Sequence, residues 1–109
     1  MNFGGAGKIQ LNNGGSFVDT GQTVTAASWN MSIAVHNGAS SFHRLNGSQS
    51  ASFNTNAVAF TGITLLGPLA SASFRWKGRS TFRACWVGTL PAVADVESYL
   101  IGRYGSFPQ

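Results

Sequence analysis

The chain has 109 residues, of which 43% are hydrophobic, 12% aromatic and only 9% charged, with 14 glycines and a single cysteine. This length suits one domain around a modest core, and the aromatic content excludes a disordered chain. Seven Lys and Arg against three Asp and Glu leave a net charge of +4, too little to mark a nucleic-acid binder without clustering, and one cysteine excludes an internal disulfide.

The opening run MNFGGAGKIQLNNGG has no charged segment leading into an apolar one. No signal peptide is therefore expected, and synthesis is expected in the cytosol. No apolar run approaches membrane-spanning length. Residues 1–28 read as an irregular or hairpin segment, in which Lys8–Leu11 and Phe17–Asp19 flank an NNGG turn.

Trp29–His36 is the clearest predicted strand. Trp29, Met31, Ile33 and Val35 fall on one face, and Asn30, Ser32, Ala34 and His36 on the other. An NGAS turn leads to Ser41–Leu45, and an NGS turn to Gln49–Phe53. Asn and Gly accept the positive φ of hairpin turns, so these runs predict a three-stranded meander. Gly62–Gly67, Ser73–Arg79 and Thr81–Gly88 read as three more strands, with Phe74, Trp76 and Trp86 inward.

The end of the chain predicts a helix over residues 92–104. Val96, Tyr99, Leu100, Arg103 and Tyr104 recur at helical spacing and form a stripe that suits a sheet. Pro91 suits the start, Asp95 and Glu97 the positive N-terminal end, Arg103 the negative end, and Gly105 a left-handed stop.

Catalytic chemistry finds little footing in these residues. Asp19, Asp95 and Glu97 are the only carboxylates, and the two on the helix point to different sides, so no pair faces across a sugar. Cys85 sits mid-strand, where a buried cysteine is expected to be inert, and no base partner for it is identified. His36 and His43 flank a turn without carboxylate or thiolate company and read as packing or surface groups, so no metal is expected. No phosphate loop and no nucleophile elbow occur. No catalytic residue and no cofactor are expected.

Binding has two candidate places. Four of the seven basic residues lie in Phe74–Arg83, and alternation puts Arg75, Lys77 and Arg79 on one strand face. That face reads as a solvated surface or as a contact for an anionic partner. Nucleic acid is disfavoured, because the interleaved aromatics should point the other way. The turn residues Asn37, His43 and Asn46 are the second place, suited to hydrogen-bonding sugar hydroxyls, although turn formation alone explains both asparagines.

The order of pieces from Trp29 to Gly105 resembles the concanavalin A-like, laminin-G-like jelly-roll domains of phage and bacterial surface proteins. The resemblance is carried by WNMSIAVHNGASSFHRLNGS, by GITLLG, by FRWKGR before TFRACWVG, and by VESYLIGRYG after a Leu-Pro turn. It implies an all-β, antiparallel β-sandwich with one short C-terminal helix, abbreviated on its N-terminal side and forming a single domain over 1–109. The calcium carboxylates of many laminin-G domains have no counterpart. Without an export signal, such a fold implies a protein of a virus particle: a bacteriophage capsid-decoration or tail-associated protein, made in the host cytoplasm. Its partners would be other virion proteins or copies of itself, with surface carbohydrate as a further ligand and no insertion into membranes. The alternative is a carbohydrate-binding module from a longer secreted or cell-surface protein.

Overall fold

The computed structural model of the chain describes residues 2–3, 7–12, 17–55 and 79–108. The chain, expected as one domain, divides into two compact units, Met1–Val58 with Pro91–Gln109, and Ala59–Leu90. The first holds two small antiparallel sheets and a C-terminal helix.

The first sheet has the order β1-β2-β3, from β1 (Asn2–Phe3), β2 (Lys8–Asn12) and β3 (Phe17–Thr23). The hairpin expected from residues 8–11 and 17–19 is present, extended by four residues of β3 and an added short edge strand. Its turn lies outside the described residues. Strand alternation leaves Lys8 exposed and buries Ile9 and Leu11 completely.

A bulge interrupts this hairpin. Lys8 pairs with Thr23 and Gln10 with Asp19, so Thr20, Gly21 and Gln22 face the single residue Ile9. Gly21 takes φ +74°, its N–H bonded to Asp19 Oδ1 at 2.8 Å. The buried Thr20 hydroxyl donates to the Ile9 carbonyl at 2.9 Å, replacing a lost ladder bond. Bulges re-aim side chains, and this one redirects Gln22.

The second sheet has the order β4-β5-β6, from β4 (Ser32–Val35), β5 (Phe42–Leu45) and β6 (Ser48–Gln49). This is the expected meander, with shorter strands. Asn46 and Gly47 have φ of 52° and 86°, the two positive values of a tight hairpin turn that matches strand twist. The turn before β5 is a short 3-10 helix, Gly38–Ser40.

Three expectations for this region are corrected. The strand predicted from Trp29 begins only at Ser32, because the Asn30 side chain holds the preceding loop. Its Nδ2 donates to the Thr25 and Ser28 carbonyls at 2.8 and 2.9 Å, and its Oδ1 accepts the Thr25 N–H at 3.1 Å. Trp29, expected in the core, is therefore 40% exposed, while Met31 is buried. The strand predicted over 49–53 ends at Gln49. There the Ser50 hydroxyl accepts the His43 N–H at 3.0 Å in place of a backbone carbonyl, leaving one isolated bridge between Ser41 and Phe53.

The helix α1 (Val93–Tyr104) lies where predicted, stopped at Gly105, whose φ is 84° and whose N–H bonds the Ile101 carbonyl at 2.8 Å. Its inward stripe differs from the predicted one. Glu97 and Leu100 are buried, with Val93, Val96 and Tyr104 half-buried, whereas Tyr99 and Arg103 are exposed. The reason is a cross-chain ion pair. Arg44 donates from Nε and Nη2 to the two Glu97 carboxylate oxygens at 2.7 and 2.9 Å, turning the acid inward.

Neighbouring strand positions point to opposite faces. Thus β5 directs Arg44 to the helix and His43 to β3, where the ring meets Gln22. The second sheet carries the helix on one face and touches the first sheet on the other.

Of the second unit, residues 79–90 are described. The strand predicted over 81–88 is corrected: residues 82–87 have no regular secondary structure, and Phe82, Trp86 and Val87 are exposed. At its start the Ser80 hydroxyl donates to the Phe82 carbonyl at 3.3 Å, so a local side-chain bond occupies a group that a strand ladder would use. The strand predicted at Gly62–Gly67 lies outside the described residues, as does the one predicted at Ser73–Arg79 except for Arg79 itself, and with it Phe74 and Trp76. Among the described residues no helix is long and apolar enough to cross a membrane.

Candidate functional site

The expected binding residues do not come together. Arg75 and Lys77 lie outside the described residues, and Arg79 is exposed in the second unit. Asn37 is exposed at the start of the 3-10 turn, its N–H held by the Ser41 hydroxyl at 2.8 Å. Asn46 is a structural staple: its Oδ1 accepts the Met31 N–H at 2.7 Å, and its Nδ2 donates to Asn30 Oδ1 at 2.9 Å.

His43, expected on an accessible turn, is wholly buried. Its place mid-way along β5, beneath Gln22 from the bulge, explains the difference. Burial disfavours the imidazolium and lowers its pKa from 6.5 to about 4, so the ring is neutral at physiological pH. Ser32 of β4, on the neighbouring strand, hydrogen-bonds the ring Nε2 at 2.8 Å, and Gln22 Oε1 meets Nδ1 at 2.5 Å. The Gln22 amide nitrogen donates onward to the Ser48 carbonyl at 2.7 Å. Polar side chains from β3, β4 and β5 thus form one line that ends on β6.

A second polar group closes the meander beside this line. Ser41 and Thr55 are buried with their hydroxyls 2.6 Å apart, and the Ser41 hydroxyl also donates to the Gly38 carbonyl at 2.7 Å. These contacts satisfy the turn and end there. The Ser32–His43–Gln22 line differs, because it begins at an exposed residue and passes through a titratable ring.

Sequence reasoning missed this line, although half of its signal was present. Alternation puts Ser32 on the polar face of its strand, and the observed register, Ala34 opposite His43 and Ser32 opposite Leu45, brings the serine and the histidine onto one face of adjacent strands. Gln22 had no such signal, because its direction depends on the bulge. Among the described residues no three His, Cys, Asp or Glu side chains form a group able to hold a metal. Cys85 is exposed rather than set within a strand.

On the outer flank of α1, Arg103 is held by two tyrosines. It donates to Tyr104 Oη at 3.1 Å and to Tyr99 Oη at 3.4 Å, and its guanidinium lies 5.5 Å from the Tyr104 ring centre. As a cation in the last helical turn it also meets the negative end of the helix dipole. Comparison of the chain with known protein families, curated proteins and solved structures finds no match in any of the three.

Proposed function

We propose that this chain is a non-enzymatic structural and adhesive protein of a virus particle, a bacteriophage capsid-decoration or tail-associated protein built on an abbreviated lectin-like jelly roll. One observation carries the reading. Among the described residues only Ile9, Leu11, Met31, Leu45 and Leu100 form the buried apolar core, while Phe17, Trp29, Trp86, Leu90, Tyr99 and Ile101 remain exposed. Large apolar and aromatic side chains left outside a small core are what an assembly surface consists of. The all-β character with one terminal helix and the resemblance over Trp29–Gly105 support the same reading, as does the low charge, since charged residues are depleted at interface centres. Fold analogy supplies the virion context.

Sedimentation velocity at micromolar concentration tests it. Concentration-dependent self-association, or capture by a larger virion protein, is the expected result. A stable monomer that binds neither refutes it.

The second reading, a carbohydrate-binding module, is favoured by the exposure of Trp29 beside the polar Asn30–Asn46 turn network, since an exposed indole can stack on a sugar face. It expects saccharide binding by the isolated protein that Trp29→Ala weakens. A glycan array without signal above background removes it.

A further inference from the structure

The contacts that join Ser32, His43 and Gln22 fix the protons these side chains share. The Ser48 carbonyl can only accept, so the Gln22 amide must turn its nitrogen to it, across 2.7 Å. Its oxygen Oε1 then faces the ring and can only accept, so His43 Nδ1 carries the proton. A neutral imidazole has one N–H, which leaves Nε2 bare. Ser32 must therefore donate its hydroxyl proton to Nε2, across 2.8 Å.

The consequence is chemical. The Ser32 O–H is aligned on a base, the base is oriented by a third group, and Ser32 itself is exposed to solvent. A hydroxyl so placed has the nucleophile–base–orienter relation that makes serine reactive. The tautomer matters most in such arrays, and Gln22, anchored by β6 and aimed by the β3 bulge, fixes the productive one.

We propose that Ser32 is a reactive serine, a covalent modification site for activated carboxylic esters, with His43 as its general base and Gln22 as the positioning residue. This goes beyond the assembly role and does not rest on it. In the step, Ser32 Oγ bonds to the ester carbonyl carbon while its proton passes to His43 Nε2. The bond from that carbon to the leaving oxygen then breaks, and the proton leaves Nε2 with the departing group. The products are an acyl-serine and the free alcohol or phenol, with no change of oxidation state. Turnover would also need donors for the oxyanion, so the proposal is confined to this one covalent event.

Burial limits the acceleration while keeping the base available. A ring with a pKa of about 4 is neutral from pH 5 upward but is a weak base, so the gain belongs near or below the low end of general-base catalysis, on the order of 10–100-fold.

The probe is p-nitrophenyl acetate, with the acetylated position found by peptide mapping and ester confirmed by its removal with hydroxylamine. Ser32 should acquire acetyl at least about tenfold faster than the exposed Ser48 and Ser98. Ser32→Ala should abolish that adduct. His43→Gln and Gln22→Met should slow it about tenfold or more, while Gln22→Glu, which still offers Nδ1 an acceptor, should retain most of the rate. Labelling of Ser32 no faster than of Ser48 and Ser98, or undiminished in a folded His43→Gln protein, overturns the proposal. If the His43 and Gln22 variants do not fold, the wild-type pH profile decides. Assisted labelling is level from pH 6 to 8, whereas a rise of about tenfold per unit is unassisted alkoxide chemistry and overturns it.

Discussion

Replacing Arg44 by Met should loosen the C-terminal helix from its sheet, and the size of the effect follows from what is left behind. Glu97 has a side chain only 10% exposed, and both of its oxygens are held by Arg44, whose side chain is 24% exposed. Removing one partner of a fully buried pair costs about 3–5 kcal/mol, mostly because the remaining charge is stranded. Partial access of water to the pair places this site at the low end, about 3 kcal/mol. Arg44 also donates to the Gly47 carbonyl at 2.7 Å and to Gln49 Oε1 at 3.2 Å, so the β5–β6 turn loses support as well. With a urea m-value of about 1.5 kcal/mol per molar, the unfolding midpoint should fall by about 2 M, read by circular dichroism. Arg44→Met with Glu97→Leu should recover most of the loss, since the pair's net worth against an apolar replacement is small. Lys at position 44 should recover little, because a point charge cannot make the two-pronged contact. A midpoint in Arg44→Met within about 0.3 M of wild type, or a double variant as unstable as the single one, refutes the account.

Three further outcomes are expected. His43 has a folded pKa of about 4 against 6.5 unfolded, so below pH 6.5 the unfolded chain takes up a proton that the folded one refuses. Stability is full above pH 6.5 and drains away down to about pH 4, by about 3 kcal/mol in all and about 2 kcal/mol between pH 7 and 5. Urea midpoints across that range check this, and equal pH dependence in His43→Gln contradicts it. Gly21→Ala meets no atom within 4 Å of the new Cβ but keeps φ at +74°, so it should cost about 1 kcal/mol from backbone strain alone and disturb the Gln22–His43 contact, visible in the histidine NMR signals. Asn46→Ala loses a residue tolerant of positive φ together with its bonds to Met31 and Asn30, and should destabilise by about 2 kcal/mol in thermal unfolding.

What the sequence discloses about this fold is local. Asn46-Gly47 between two alternating runs announces a hairpin because few residues accept that backbone, and the helix shows itself through its spacing and its terminal Gly105. What it conceals depends on partners far along the chain. Glu97 has the look of an exposed dipole partner until Arg44, 53 positions away, draws it inward and rotates the apolar stripe with it. Trp29 has the right alternation for a core residue, yet Asn30 binds the loop first. His43 is a turn-flanking histidine by position and a buried base by contact, because a three-residue bulge in another sheet brings Gln22 down onto it.

The first unit begins before the second and finishes after it, the chain leaving after Val58 and returning at Pro91. The Arg44–Glu97 clasp fastens the returning arm to the body it left, so the first unit is locked to itself without help from the covalent path between. A single cut between residues 79 and 90 should therefore leave the two sheets and the helix travelling together under native conditions.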